Sequence, residues 1–337
     1  MALVDFFNTS AFNAVSLTLG INKFPNMYGR VGDLGIFRDI GVPTRSVLVE
    51  EQNGVLNLLP SKSLGAPGTQ GTIGKRKVRS FVIPHIPHDD SVLPEEVQNV
   101  RQFGSENGLQ TLSELMSRKL LTMSAKHDIT REHLRMGALK GIILDGDGTT
   151  TLYNLYTEFG ITAKTISFAL TTSATEVISK TLELKRHIED NLLGEVMNGI
   201  QVLCSPEFYD ALTIHPNVKT AFQYYLSNQK LSGDYRSAFE FGGVMFEEYR
   251  GQATNVAGTV VKFIAANEAH AFPIGTVNTF DLYNAPADFN EAANTLGQPK
   301  YAKQKERDFG RGWDIHTQSN PLPICKRPEV LVKLTKT

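Results

Sequence analysis

The chain has 337 residues, with 34 Lys and Arg against 35 Asp and Glu and a formal net charge of −1, so it lacks the basic excess of a nucleic-acid binder. Its two cysteines, Cys204 and Cys325, lie far apart and fit neither a metal-ligand spacing nor a disulfide framework. The start of the chain has no basic stretch leading into an apolar core, and no apolar run approaches the roughly 18 residues of a membrane span; a soluble protein made in a reducing compartment, without a signal peptide, is expected.

Residues 1–41 scatter Phe6, Phe7, Phe12, Phe24, Tyr28 and Phe37 among Asn, Gly and Ser with no sustained helix or strand period. Aromatic anchors without a period of their own predict an extended arm lying across another surface. Residues 42–90 read as a long two-stranded excursion. Thr44 to Glu51 is strand-like, Asn53-Gly54 is a tight-turn signal, and Val55 to Leu59 follows as the mate. A glycine-punctuated stretch from Gly65 to Gly74 follows, and Lys75-Arg76-Lys77 with Arg79 opens another strand, Val78 to Ile83. That basic run fits a solvated or partner-facing edge better than a nucleic-acid patch. His85, His88, Asp89 and Asp90 form the best metal-like cluster, but two prolines flank them and no second ligand group is evident, so a loop is the stronger reading.

From Pro94 to Gly141 the pattern is helical, broken once near Gly104–Gly108 and continuous from about Leu109. Leu112, Met116, Leu120, Met123, His127, Leu134 and Ala138 share one stripe. Thr111 with Glu114 fits a capping box, and Gly141 fits the residue just past a helix C-terminus. The narrow stripe is flanked by charges, Arg131 and Glu132 among them, which predicts a strut with exposed charged sides.

Ile142 to Leu144 followed by Asp145-Gly146-Asp147-Gly148-Thr149 resembles the first motif of haloacid-dehalogenase-type phosphatases, in which the first Asp is the nucleophile and the second the general acid, with magnesium on the phosphate. The downstream acids that such chemistry requires are poorly met: Glu189-Asp190 sits in a helical pattern, and Glu247-Glu248 lacks the expected flanks. A calcium loop fails because Tyr156 occupies the twelfth position. A hairpin with its turn at Asp145–Gly148 and a return strand at Thr149–Tyr153 is the better reading.

Residues 174–198 predict a second helix with Val177, Leu184, Ile188, Leu192 and Val196 on one face. A short strand at Ile200–Leu203 follows, and then a helix capped by Ser205 with Pro206 in its first turn, burying Phe208, Leu212 and Ala211. Ala238 to Tyr249 alternates like an exposed-face strand. Lys262 to Ala266 reads as a further strand and Ala271 to Gly275 as a tight connection. This half holds no glycine-rich phosphate loop, nucleophile elbow or catalytic carboxylate pair. The C-terminal stretch, with Pro321, Pro323 and Pro328, reads as a proline-punctuated pair of strands, Ile315–Gln318 and Val330–Leu334, suited to a sheet edge.

Here the chain resembles the lambda-like phage major capsid proteins of the capsid protein E family. The segment Trp313 to Leu334, Phe272-Pro-Ile-Gly-Thr276, the helix end from Arg131-Glu-His133 to Ala138-Leu-Lys-Gly141, and Asp145-Gly-Asp-Gly148 carry the likeness, together with the order of elements. The resemblance implies an α+β Hong Kong 97-type capsid fold. Its parts would be an N-terminal arm at 1–41, an extended E-loop at 42–90, a peripheral domain at 91–199 with its spine helix at 94–140, an axial domain at 200–300, and a return to the peripheral domain at 301–337. It implies a structural shell protein of a tailed double-stranded DNA phage, not an enzyme, with no catalytic, cofactor-binding or metal-ligating residue. Its partners would be copies of itself in hexamers and pentamers, a portal protein, a separate scaffolding protein and a decoration protein, around DNA held without sequence-specific contact. The virion is the expected location, after synthesis in the host cytoplasm. Lys–Asn self-crosslinking is not expected. The alternatives are a magnesium-dependent phosphatase acting through Asp145 and Asp147, and a cargo-enclosing bacterial compartment shell of the same fold.

Overall fold

A computed structural model describes residues 14–23, 29–52, 76–96, 112–219, 221 and 239–337. The chain divides into two units, one made of Met1–Val47, Phe81–Glu132 and Leu282–Pro323, the other of Leu48–Ser80, His133–Asp281 and Ile324–Thr337.

In the first unit, residues 14–23 form a helix, Ala14–Lys23, where the sequence suggested only an extended arm. Leu17 and Ile21 are buried with Met116, Leu120 and Met123 of the long helix and with Val92 and Ile315. Thr18 is buried beside them, its hydroxyl accepting from the Ala302 amide at 3.2 Å. Val15 and Leu19 face outward, so the helix is apolar on both sides and its amphipathic period is blurred. A three-stranded antiparallel sheet has Trp313–Ser319 at its centre, between Tyr301–Glu306 and Ile86–Val92. The first of the expected C-terminal strands is therefore real, but it is central and has no pairing with residues 330–334.

The long helix runs over Leu112–Lys140, 29 residues, or about 45 Å. Met116, Leu120, Met123, His127, Leu134 and Ala138 are all buried, as the stripe requires. It stops at Gly141, whose φ of +77° suits a residue without a side chain. Pro94–Glu96 is a 3-10 turn; the break at Gly104–Gly108 and the capping Thr111 lie outside the described residues.

Strand Ser46–Gln52 pairs with Arg76–Val82. The Asn53-Gly54 turn, the mate Val55–Leu59 expected from it and the Gly65–Gly74 stretch lie outside the described residues. Arg38–Gly41, Phe280–Asn284 and Pro321–Cys325 form another three-stranded sheet. Pro321 and Pro323 sit there on an outer strand, where a missing N–H leaves no ladder partner wanting.

The second unit is built on a six-stranded mixed sheet ordered Lys164–Ser167, Val332–Thr335, Glu268–Ile274, Gly199–Cys204, Val244–Glu248 and Phe239–Phe241. Residues 268–274, read from sequence as partly a tight connection, are an inner strand. Pro273 lies one residue from its end, opposite Ile200, so its missing donor costs little. The exposed-face strand expected over 238–249 is a hairpin that turns at Gly242-Gly243, both at positive φ. Its second arm is inner, with Val244 and Phe246 fully buried. Only Val260–Lys262 is strand in the region where Lys262–Ala266 was expected.

Helix Val177–Asn191 buries Val177, Leu184 and Ile188, and Leu192 follows in kind; Val196 lies past its end and is exposed. Ser205 caps helix Pro206–Ile214 by accepting from the Phe208 amide, with Pro206 in the first turn. Phe208 packs edge-on against Phe168, which also meets Phe246. The hairpin Ile142–Leu144 with Thr151–Asn154 forms as read, with a bulge near Leu144.

Candidate assembly surface

Most of the acids and histidines with a chemical look are engaged in structure. Asp147 Oδ1 accepts the amides of Thr149 and Thr150, each at 2.8 Å, and Oδ2 accepts the Thr150 hydroxyl. The Thr150 hydroxyl and then the two amides hold its carboxyl far below the usual range. Asp145 Oδ1 accepts from the Gly146 amide at 2.7 Å. Both residues shape an exposed hairpin turn, and a carboxylate engaged by three donors has little basicity left for general acid work. Glu189 and Asp190 are exposed on their helix, whereas Glu247 is buried in the six-stranded sheet and accepts from Gln201 at 2.8 Å.

The histidine cluster is dispersed in the same way. His85 meets Asn320 at 3.0 Å, His88 meets Lys126 at 3.1 Å, Asp89 pairs with His316 on the neighbouring strand, and Asp90 caps the Ser91 amide. Among the described residues no group of three or more His, Cys, Asp or Glu is placed to hold a metal ion. Cys204 and Cys325 are separate, buried, free thiols whose pKa values burial pushes up. No helix among the described residues is long and apolar enough to cross a membrane.

The long helix carries a buried polar network that sequence reasoning missed. Arg131 and Glu132, expected as exposed charges, are 5% and 2% exposed. Glu132 reaches the turn Arg30–Asp33, where Oε1 accepts the Val31 amide at 2.7 Å and Oε2 the Gly32 amide at 3.1 Å. Arg131 donates to Asn284 Oδ1 at 2.9 Å and to the Pro299 carbonyl at 3.1 Å, with Asp39 3.4 Å away. One turn earlier, Asp128 and Lys300 form a buried ion pair at 2.6 Å, and Lys300 also donates to Ser124. His127 lies 3.0 Å from the Thr317 hydroxyl. Burial first, then nearby His88, Lys300, Arg131 and His316, lowers its pKa to about 3. Counterparts from residues 31–39 and 284–319 meet a single helix face here, so these charges fix the first unit's packing. The available signal was their place beside the stripe, but charge type pointed outward.

What remains outward is apolar surface of the kind that partners cover. On the ribbon of Ser46–Gln52 and Arg76–Val82, side chains alternate between burial and exposure over residues 46–49 and 80–82. Val47, Val49 and Phe81 are buried, while Leu48, Val78 and Val82 are more than half exposed. Arg79 anchors its strand by donating to the Glu158 carbonyl at 2.7 Å and lying over the Phe159 ring. At the turn after Tyr301–Glu306, Phe309 is 91% exposed with φ at +62°.

Comparison with known proteins accounts for surface of this type. A family model described as phage major capsid protein E matches residues 13–336. The major capsid protein of Salmonella phage Felix O1 is 33% identical over 355 residues, covering 96% of each chain. That of Pseudomonas phage KPP10 is 31% identical over 339 residues, again with 96% of each covered. Among solved structures, a prophage protein of Escherichia coli CFT073 assigned as its capsid protein superposes with a TM-score of 0.61 at 14% identity, covering 97% of this chain and 99% of that one. The capsid of Ralstonia phage GP4 gives 0.53 at 9% identity, over 89% and 87%. These likenesses agree with the mixed helix-and-sheet architecture of Hong Kong 97-type capsids. The chain belongs to the phage major capsid protein E family.

Proposed function

We propose that this chain is the repeating subunit of a tailed-phage head, assembling with copies of itself into an icosahedral shell around double-stranded DNA. The family match across residues 13–336 carries the reading, and the outward apolar face of the 46–52/76–82 ribbon supports it. A closed shell uses one surface many times in heterologous contacts. Apolar faces left open on the subunit are then covered on assembly. In the finer reading, residues 42–90 are the E-loop, which lies on a neighbouring copy, and 1–41 are an N-terminal arm. The long helix is the spine of a peripheral domain over 91–199 to which 301–337 return, and 200–300 are the axial domain. Hexamers and pentamers are the working units. A portal protein, a separate scaffolding protein and a decoration protein are the further partners. The subunit is made in the host cytoplasm and ends in the virion. It does no catalysis.

Negative-stain microscopy and sedimentation of the purified protein, expressed alone and beside the neighbouring genes of its genome, test this directly. Shells, capsomers or tubes are expected; a monomer under every condition would overturn it. Deleting residues 55–75 should leave folded subunits that fail to close, whereas normal particles from that deletion would remove the E-loop assignment. Phosphate release from generic esters that vanishes in Asp145→Asn would instead establish the phosphatase reading.

A further inference from the structure

Past helix Val177–Asn191, the chain turns through Leu193 and Gly194, at φ of +51° and +86°, and Glu195 folds back against a second loop. Its Oε1 accepts the amides of Val277 at 2.8 Å and Asn278 at 2.6 Å, and its Oε2 accepts the Thr279 hydroxyl at 3.0 Å. Arg327 lies 3.3 Å from the same carboxylate, whose side chain is only 10% exposed, and also donates to the Leu192 carbonyl. The Asn198 amide donates to the Ile274 carbonyl at 2.8 Å, and a side chain at Gly275 would collide with Asn198. Loops 192–198 and 274–279 are thereby fixed as one piece at the Gly199/Ile274 end of the six-stranded sheet.

The outer surface of this piece is uncharged and dominated by aliphatic side chains, Leu193 being 57% exposed, Val196 74% and Val277 66%, with the amides of Asn198 and Asn278 beside them. A leucine held in the left-handed region, on a loop pinned by a nearly buried carboxylate, is strain maintained to present a surface. The one carboxylate beneath it is turned inward and neutralised by Arg327. An identical copy would therefore meet aliphatic and neutral amide side chains and no like charge on these loops, which suits self-association.

We propose that loops 192–198 and 274–279 form a contact between copies of this chain, burying Leu193, Val196 and Val277, with Glu195 as the positioning residue. This rests on the shell reading above and names one of its contact surfaces. The test uses full-length protein with a photoreactive benzophenone amino acid at position 277, alongside Val196→Asp and Glu195→Gln. Irradiated shells should yield a covalent dimer whose adduct maps to a second copy of this chain. Val196→Asp should melt with the wild type but need an about tenfold or greater concentration to assemble, the cost of a charge in a dry contact. Glu195→Gln should lower adduct yield in the shells that form. Wild-type assembly by Val196→Asp, irradiated shells without an adduct, or an adduct only to a different polypeptide would overturn this contact while leaving the shell reading intact. A wild-type chain that forms no shells would overturn both.

Discussion

Glu132 gives the sharpest test of how the first unit is held. Its carboxylate is 2% exposed and is the acceptor for the Val31 and Gly32 amides at 2.7 and 3.1 Å. Glu132→Ala removes both acceptors, leaving the buried Val31 amide and the partly buried Gly32 amide unpaired, and each orphaned buried N–H costs about 1–3 kcal/mol. Adding the void left by the lost side chain, the loss should reach about 3–5 kcal/mol. Glu132→Gln keeps the shape and one good acceptor but turns an NH2 toward the second amide, so about half that loss is expected. Urea unfolding of unassembled subunits reads the total, as a midpoint lowered by about 1 M or more. Hydrogen exchange at Val31 and Gly32 reads the local effect, since both amides should lose protection in Glu132→Ala. A loss below about 1 kcal/mol, the range of an exposed helix charge, with unchanged exchange at those amides would refute the reasoning.

The buried ion pair behaves differently when broken and when replaced. Asp128→Asn or Lys300→Met alone should destabilise by about 3–5 kcal/mol, whereas Asp128→Leu with Lys300→Met should be near neutral; a double variant as unstable as the singles, by urea unfolding, would contradict this. His127 and His270 both have pKa values lowered to about 3 from 6.5, burial being the main cause in each. The unfolded chain therefore binds the extra protons, so the contribution is complete above about pH 6.5 and is lost as pH falls toward 3, by at most about 1.4 kcal/mol per pH unit for each histidine. His127→Gln with His270→Gln should show a shallower acid slope in unfolding experiments than the wild type; an equal slope would count against it. A Cβ at Gly297 would sit 1.9 Å from the Asn284 carbonyl oxygen. Gly297→Ala should therefore lose about 3 kcal/mol or more, seen as insolubility or a much lower melting midpoint. Asn154 caps the turn Leu155–Phe159 by accepting from Tyr156 and Thr157, and Asn154→Ala should cost about 1 kcal/mol in the same unfolding assay.

Local signals in the sequence carried far where the chain obeys local rules. Ser205-Pro206 marked a helix start, Gly141 a helix end, and the Asp145–Gly148 turn a hairpin, because caps and turns are decided within a few residues. The stripe from Met116 to Ala138 was legible because 3.6-residue periodicity survives in a long helix. Pairing was not legible. Ser46–Gln52 pairs with Arg76–Val82 across a long intervening segment, and Trp313–Ser319 pairs with residues 86–92 far back in the chain. Nothing within either strand specifies a distant mate. Helix Ala14–Lys23 was hidden by Val15 and Leu19, apolar residues on its outer side. Glu132 and Arg131 were misplaced for the opposite reason: their charge argued for solvent, and only tertiary structure supplies the amides and carbonyls that make burial tolerable. No assembly surface was readable residue by residue, since exposure of Leu48, Val277 or Phe309 depends on the folded chain.

The order of strands in the six-stranded sheet bears on when a subunit becomes competent during synthesis. Val332–Thr335 lies between Lys164–Ser167 and Glu268–Ile274, parallel to the first and antiparallel to the second. Until residues 332–335 have left the ribosome, strand Lys164–Ser167 has no neighbour in the sheet, and one edge of Glu268–Ile274 stays unsatisfied. Closure joins segments distant in sequence, which is the slow kind of folding step. Nascent chains on one messenger would thus remain open-edged together, exposed to mispairing with one another and to chaperone capture.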